Sequence, residues 1–141
     1  MEFNPDKIRT ITSEILSSLE RLEELKILPK ETFLSDPHKI RSAKYSLIVA
    51  IEGAIDLSNH VIAKNGFRTP EDYADTFKVL AERGAFDGEF TLTLIQMARF
   101  RNRLVHIYWE VDDDELFSII QTRLGDIRLF LKIYGDFISG Q

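Results

Sequence analysis

The sequence predicts an all-α protein, an antiparallel bundle of four long helices plus one short helix. Apolar residues recur at three- and four-residue steps along nearly the whole chain, which is the period of an amphipathic helix. Alternation of apolar and polar residues, which would indicate strands, never persists beyond a few positions. The connections between the helical segments are short, so neighbouring helices are expected to run antiparallel. With 141 residues and no internal repeat, the chain is expected to form a single domain, residues 1–141.

The first two long helices begin with the same signal, a capping side chain followed by proline. Asn4-Pro5 opens the first helix, and Pro29 ends it. Its apolar stripe consists of Ile8, Ile11, Ile15, Leu19, Leu22 and Leu25. After a loop with the sequence KETFLSDP, Asp36-Pro37 opens the second helix, and Asn65-Gly66 supplies its C-terminal stop. The expected core face of this helix carries Ile40, Leu47, Ile51, Ala54, Ile55, Val61 and Ile62.

The third, fourth and fifth helices are predicted from a capping box, an apolar stripe and a run of acids, respectively. In TPEDYADTFKVLAERG, Thr69 and Asp72 have capping-box spacing, and Gly84 closes the short third helix. The stripe of the fourth helix is Phe90, Leu94, Met97, Leu104 and Val105. The fifth helix begins in DDDE, because acids are favoured at the positive end of the helix dipole. Its apolar positions are Leu116, Ile120, Leu124, Ile127, Leu131 and Tyr134.

Composition excludes several classes of function. The chain has no cysteine, which rules out disulfides, zinc–thiolate sites and thiol nucleophiles. The N-terminal MEFNPDKIRT lacks the layout of a secretory signal, and the longest apolar run, SLIVAIEGAIDL, is too short to span a bilayer. We therefore expect a soluble cytoplasmic protein with no membrane association. The net charge is −5, whereas proteins that bind nucleic acid over a large surface are usually basic. Any contact with nucleic acid is therefore expected to be local, or to be made by an assembly that brings the arginines of several chains together.

The candidate site lies in MARFRNRLVHIYWEVDDDE, residues 97–115. At about 100° per residue, Arg101 falls near the middle of the apolar stripe, where a charge is costly to bury unless it is paired or faces a second subunit. His106 lies roughly 140° further around the same helix, so a straight helix keeps the two residues on different faces. Either the helix loosens in HIYWEV, which is poor in helix formers, or two copies of the helix meet across a symmetry axis.

Within this stretch, RNRLVHIY resembles the R-x4-H-x-Y signature of HEPN-superfamily ribonucleases, specifically the HepT-like toxin branch. Two longer segments carry the same resemblance. YSLIVAIEGAIDLSNHVIAKNGFRTPEDYADTFKVLAERGAFDGEF is similar to the second helix, turn and short third helix of that branch. MARFRNRLVHIYWEVDDDELF is similar to its fourth helix and the beginning of its fifth.

This resemblance implies a metal-independent endoribonuclease without a cofactor, which acts as a homodimer and lines an inter-subunit cleft with the motifs of both chains. By position, Arg101 and His106 match the catalytic pair, Asn102 the adjacent polar residue and Tyr108 the motif tyrosine. In toxin–antitoxin modules of this branch, a partner nucleotidyltransferase, an MntA-like antitoxin, silences the toxin by attaching adenylyl groups to that tyrosine. On a regular helix, Tyr108 would share the face of Arg101, which lies seven residues earlier.

The residue types suit cleavage of RNA without a metal. Such cleavage needs a base for the ribose 2′-hydroxyl and a cation for the charge that grows on the phosphorus. Histidine titrates near neutrality and suits the first role, while the permanently charged fork of arginine suits the second. Because the 2′-hydroxyl is the nucleophile, this chemistry selects RNA over DNA.

Simpler structural roles remain open for these residues. Arg101 could form a structural ion pair, for instance with Asp56 if their helices pack together, and a lone helical histidine such as His106 is more often solvated or packed than catalytic. Tyr108 would by itself be a core or interface aromatic residue. Arg99 and Arg103 are either part of a solvated face or a rim that guides RNA phosphates.

For the other polar residues, a structural role is favoured over a functional one. The acids Asp112 to Glu115 resemble metal ligands, but their position at a helix start is the favoured explanation, and no metal site is predicted. Glu52, Asp56 and His60 lie off the apolar stripe and are expected to be solvated. The alternative function is a catalytically silent helical adaptor that binds a nucleotidyltransferase or a nucleotide through the same cleft. The intact arginine–histidine pair favours the ribonuclease.

Overall fold

The computed structural model describes residues 1–140, which contain seven α-helices, one turn of 3₁₀ helix and no strand. The α-helices are α1 (Pro5–Lys26), α2 (Lys30–Leu34), α3 (Pro37–Lys64), α4 (Tyr73–Glu82), α5 (Gly88–His106), α6 (Asp113–Thr122) and α7 (Leu124–Ile138). The 3₁₀ turn, Tyr108–Glu110, lies between α5 and α6. The predicted all-α fold is therefore confirmed.

The number of helices differs from the prediction in two places: an additional short helix is present, and the fifth long helix is divided. The loop KETFLSDP contains α2, whose Phe33 is completely buried; burial of such a ring contributes about 2–3 kcal/mol and explains why the segment folds onto the bundle. The predicted fifth long helix is two helices, α6 and α7, which meet at Arg123. Just before the break, the Thr122 hydroxyl donates to the Ser118 carbonyl at 2.8 Å, and side-chain bonds of this kind bend helices.

Helix α4 begins later than predicted, because Asp72 rather than Thr69 is its N-cap. Asp72 Oδ1 accepts the backbone N–H of Asp75 at 2.7 Å. The Asp75 carboxylate accepts the N–H of Glu71 at 2.9 Å and pairs with Arg68 at 2.7 Å. Arg68 is the main reason that the pKa of Asp75 falls to about 2. Two acids with capping-box spacing thus fix the start of the helix.

The long helix α3 lies at the centre of the core. Its most apolar window has a mean hydropathy of 1.3, enough by length and composition to cross a membrane, but 67% of that window is buried inside the fold. Helix α1 packs closely against it at Gly53, where a Cβ would collide with the side chain of Ile15. The predicted core positions Leu47, Ile51 and Ile55 are all buried. The apolar character of α3 is therefore used in packing against the other helices.

A cluster of aromatic rings joins α4, α5 and α7. The ring centroids of Phe77 and Phe130 are 5.9 Å apart, as are those of Phe86 and Phe130, and those of Phe86 and Phe90 are 5.8 Å apart. Buried aromatic pairs add about 0.5–1.5 kcal/mol beyond the burial of their area. This cluster anchors the N-terminal half of α5 and so fixes the direction in which the C-terminal half, with the candidate site, extends.

His60 is buried, contrary to the solvated position expected from the sequence. Its Nε2 accepts the backbone N–H of Asn4 at 2.9 Å, which ties the start of α1 to α3. Only the neutral imidazole can accept this bond. Burial, with smaller contributions from Lys7 and Lys64, lowers the pKa of His60.

Acidification from pH 7 to pH 5 is expected to lower the melting temperature through His60. In the unfolded chain the pKa of histidine is about 6.5, and in the fold it is lower, so the unfolded state binds more protons as the pH falls. The stabilisation by neutral His60 is complete above about pH 6.5 and is lost as the pH falls towards the folded pKa. The variant His60→Gln keeps an acceptor without titrating and should show a shallower decrease, measured by circular dichroism.

The matched control is His38→Gln, which removes an exposed histidine near the start of α3 and should keep the wild-type pH dependence. Equal pH dependence of His60→Gln and wild type would contradict the assignment.

Candidate active site

The candidate site lies on the C-terminal half of α5, which is regular from Gly88 to His106. At its start, Asp87 Oδ1 accepts the backbone N–H of Phe90 at 2.7 Å. At its end, Ile107 has φ −136° and ψ 46° and leaves the helical conformation. The predicted loosening of HIYWEV is therefore present but begins only after His106.

Arg101 and His106 consequently lie on different faces of one helix. Five residues along a regular helix correspond to a rotation of roughly 140°. The Arg101 side chain is only 11% exposed and faces α3, whereas His106 is exposed at the last position of α5. Of the two arrangements left open by the sequence, loosening of the helix between these residues is thus excluded. The second arrangement, in which two chains contribute, remains a prediction.

Arg101 is held by three neighbours. Its Nε and Nη2 donate to Glu52 Oε1 of α3 at 2.9 and 2.6 Å, and its Nη1 donates to Asn102 Oδ1 at 3.1 Å. Its Cζ lies 4.8 Å from the centroid of the Tyr73 ring at the start of α4, a cation–π distance. The alternative that Arg101 pairs with Asp56 is therefore wrong: the pair is made with Glu52, one turn earlier on α3.

The apolar stripe of α5 ends before the helix does. Phe90, Leu94 and Leu104 are buried as predicted, but Val105 is 37% exposed. By helical spacing Val105 follows Arg101 on nearly the same side, one turn on. An apolar side chain thus lies open to solvent next to the paired arginine.

Arg99 and Arg103 belong to the same side of α5 as His106, because the three residues have i, i+4 and i+7 spacing. Arg103 donates to both carboxylate oxygens of Glu115 in α6 at 2.7 and 2.8 Å, which raises its pKa. Arg99 is exposed, and both arginines line a groove of about 330 Å³ whose floor includes apolar residues such as Ile51. The guidance of RNA by this side remains a prediction; Arg103 is already paired within the chain.

Tyr108 lies in the 3₁₀ turn and not on α5. The expectation that it shares the face of Arg101 through a seven-residue helical spacing is therefore wrong, because the helix ends at His106. Tyr108 is 59% exposed, and its ring centroid lies 5.4 Å from that of the exposed Trp109, at an interplanar angle of 79°. The motif tyrosine is thus accessible from solvent, next to His106 in the chain.

The acids after the turn have the structural role expected of them. Asp112 caps α6, its Oδ1 accepting the backbone N–H of Glu115 at 2.6 Å, and Asp114 pairs with Lys30 at 2.9 Å. Within residues 1–140, no three His, Asp or Glu side chains are grouped so that they could hold a metal ion.

The sequence did not indicate the importance of Glu52 or Tyr73. Glu52 was expected to be solvated, although an acid inside the apolar run SLIVAIEGAIDL is a signal that an arginine in the core stripe of another helix needs a partner. For Tyr73, no local signal distinguishes it from any residue at a helix start.

The chain is similar to a known protein family and to individual proteins. The family model described as Ribonuclease HepT-like matches residues 15–133. The chain is 30% identical over 118 residues to a candidate RNase from Archaeoglobus fulgidus, covering 84% of this chain and 87% of that relative. It is 28% identical over 82 residues to the mRNA nuclease HepT of Shewanella oneidensis, covering 58% of this chain and 62% of that one.

A similar fold occurs in a solved structure, the tri-AMPylated HEPN toxin of Shewanella oneidensis in complex with an MNT antitoxin. The TM-score is 0.85 at 23% sequence identity, and the match covers 98% of this chain and 100% of the other. The all-α architecture described above is thus that of a HEPN protein.

Proposed function

Because this chain belongs to the HepT-like ribonuclease family, we propose that it is a cytoplasmic RNA-cleaving toxin that uses Arg101 and His106 and is silenced by a nucleotidyltransferase antitoxin. The observation that carries the proposal is the family match over residues 15–133, which includes an intact RNRLVHIY motif. The names of the mRNA nuclease and of the toxin bound to its MNT antitoxin support the substrate class and the partner. The whole chain, residues 1–141, would act as one helical domain.

In the proposed reaction, His106 accepts the proton of the ribose 2′-hydroxyl while the 2′-oxygen attacks the adjacent phosphorus. The bond from phosphorus to the 5′-oxygen of the next nucleotide breaks, and that oxygen takes up a proton from water. The products are a 2′,3′-cyclic phosphate and a 5′-hydroxyl. Arg101 stabilises the negative charge that develops on the phosphate oxygens. Since the base and the cation are both side chains, the proposed reaction needs no metal ion.

The purified protein is expected to cleave RNA in the presence of EDTA and to leave 2′,3′-cyclic phosphate ends. His106→Ala should lose at least about a hundredfold in rate, since a general base contributes 10²–10⁴-fold. Gel electrophoresis and mass spectrometry of the fragments provide the measurement.

The control is His38→Ala, which removes an exposed histidine away from the motif and should cleave as wild type does. Loss of activity on chelation, with recovery on adding magnesium, would contradict the mechanism. An inactive wild-type protein that still binds the nucleotidyltransferase would instead support the silent adaptor, which the pairing of Arg101 with Glu52 favours by neutralising the cation.

We propose that the active site is composite and that two chains associate through α5. The regular helix separates Arg101 from His106 in one chain, so a second copy is the simplest source of the missing half. Val105, which is 37% exposed and follows Arg101 on nearly the same side of α5, also supports contact with another subunit there.

Mixed dimers of Arg101→Ala and His106→Ala chains test this arrangement. If each site takes Arg101 from one chain and His106 from the other, every mixed dimer keeps one intact site. Random exchange of subunits should then restore about a quarter of the wild-type activity. Activity is measured after the inactive variants are mixed, with sedimentation to confirm the dimer. A monomer at micromolar concentration would refute the proposal.

Tyr108 is the proposed site of adenylylation. Its 59% exposure makes the hydroxyl accessible to a modifying enzyme, and the similar solved toxin is described as AMPylated. Because Tyr108 follows His106 by two residues, an adenylyl group there would bring a negative phosphate and a bulky base near the side of α5 that carries His106, Arg99 and Arg103. Modification would therefore compete with RNA for the same cations.

Tyr108→Phe is expected to cleave RNA and to escape silencing by the nucleotidyltransferase. After co-expression, mass spectrometry of the wild-type chain should find about 329 Da for each adenylyl unit on the peptide with Tyr108. Tyr45→Phe serves as the control, because Tyr45 is also well exposed, at 67%. An adduct on Tyr45, Tyr73 or Tyr134 with Tyr108 unmodified would refute the assignment.

A further inference from the structure

We propose that Glu52 and Tyr73 are positioning residues that hold the Arg101 guanidinium in the orientation in which it binds the scissile phosphate. The inference rests on the proposed ribonuclease function and adds two residues outside the RNRLVHIY motif. Glu52 comes from α3 and Tyr73 from the first turn of α4, so three helices meet at the side chain of Arg101.

Within residues 1–140, the contacts of Arg101 leave two of its N–H donors without a partner. A guanidinium has five N–H donors in a rigid plane. The Nε and Nη2 donors both go to the same oxygen of Glu52, and one Nη1 donor goes to Asn102. One N–H on Nη1 and one on Nη2 are then uncommitted. These two donors are available to bind oxygens of a phosphate, and hydrogen bonds from arginine to phosphate are among the strong, charge-assisted ones.

Tyr73 restrains the tilt of the Arg101 guanidinium plane, which the hydrogen bonds to Glu52 leave free. Its ring faces the guanidinium, with Cζ 4.8 Å from the centroid, and arginine stacks favourably on an aromatic face. An arginine side chain has many rotamers, and selecting one of them costs conformational entropy. If the rotamer is selected before RNA binds, the catalytic step does not include this cost. Glu52 would thus fix the direction of the fork and Tyr73 its plane.

The exposure of the pair favours a positioning role over a purely structural one. The Glu52 side chain is 39% exposed although that of Arg101 is only 11% exposed. A partly exposed carboxylate keeps part of its hydration, so the pair contributes only modestly to folding stability, while it still compensates the covered charge of Arg101. Because Glu52 binds a single edge of the guanidinium, it also determines the orientation of that group.

The test compares Glu52→Ala with Glu52→Gln in steady-state cleavage of a defined RNA. The glutamine oxygen can still accept from Nε and Nη2, so this variant should keep most of the activity. Glu52→Ala should lower kcat by about tenfold or more while KM stays the same or falls, because only the transition-state contact is misplaced. In the same way, Tyr73→Phe should retain activity and Tyr73→Leu should lose it.

Asp56→Ala is the matched control: it removes an exposed carboxylate one turn further along α3 and should leave kcat unchanged. Thermal unfolding is recorded for each variant, and should Glu52→Ala fail to fold, the two Tyr73 variants decide the question. Wild-type kcat in folded Glu52→Ala, or equal losses in Glu52→Ala and Glu52→Gln, would overturn the positioning role. Higher activity of both Glu52 variants would overturn it as well, since Glu52 would then restrain Arg101.

These outcomes are distinct from failure of the proposed function. Full activity of Glu52→Ala beside an inactive His106→Ala would overturn the positioning role alone. Absence of cleavage by the wild-type chain would overturn the ribonuclease proposal and the positioning role with it.

Discussion

Helix α5 stays regular from Gly88 to His106, and this regularity controls how the two motif residues can meet. A helix without a break turns by roughly 140° over five residues, so Arg101 enters the bundle while His106 faces solvent. In the proposed active site, one chain would then present the two halves on separate faces. A symmetric pair of chains can join such halves because each contributes the same surface.

Arg101 and His106 are held in place to different degrees by the helical bundle. Arg101 is tied to α3 by Glu52 and stacked on Tyr73, so the packing of three helices determines its orientation. His106 is exposed and is placed only by the end of α5. Behind it, the turn is fixed by the buried Val111 and by the pairing of Arg103 with α6. The proposed cation is therefore preorganised within the chain, whereas the proposed base has room to adjust when a partner or RNA binds.

Much of the fold could be predicted because apolar periodicity and capping are local. Leu19, Leu47, Leu94 and Ile120 are buried at the positions that the helical period gives them. The predictions that are wrong concern residues whose local conformation depends on contacts with residues far away in the sequence. Phe33 makes a short helix out of an apparent loop by filling the core. His60, on a polar flank of α3, is buried because the N-terminal segment crosses it.

The sequence by itself determined the helical class, the positions of the long helices and the motif that marks the family. Each depends on residues within a few turns of one another. Tertiary structure alone decided that Arg101 pairs with Glu52 and not with Asp56. The two acids lie one turn apart on α3, and the way in which α3 packs against α5 selects between them. That packing depends on the whole core, which no local pattern specifies.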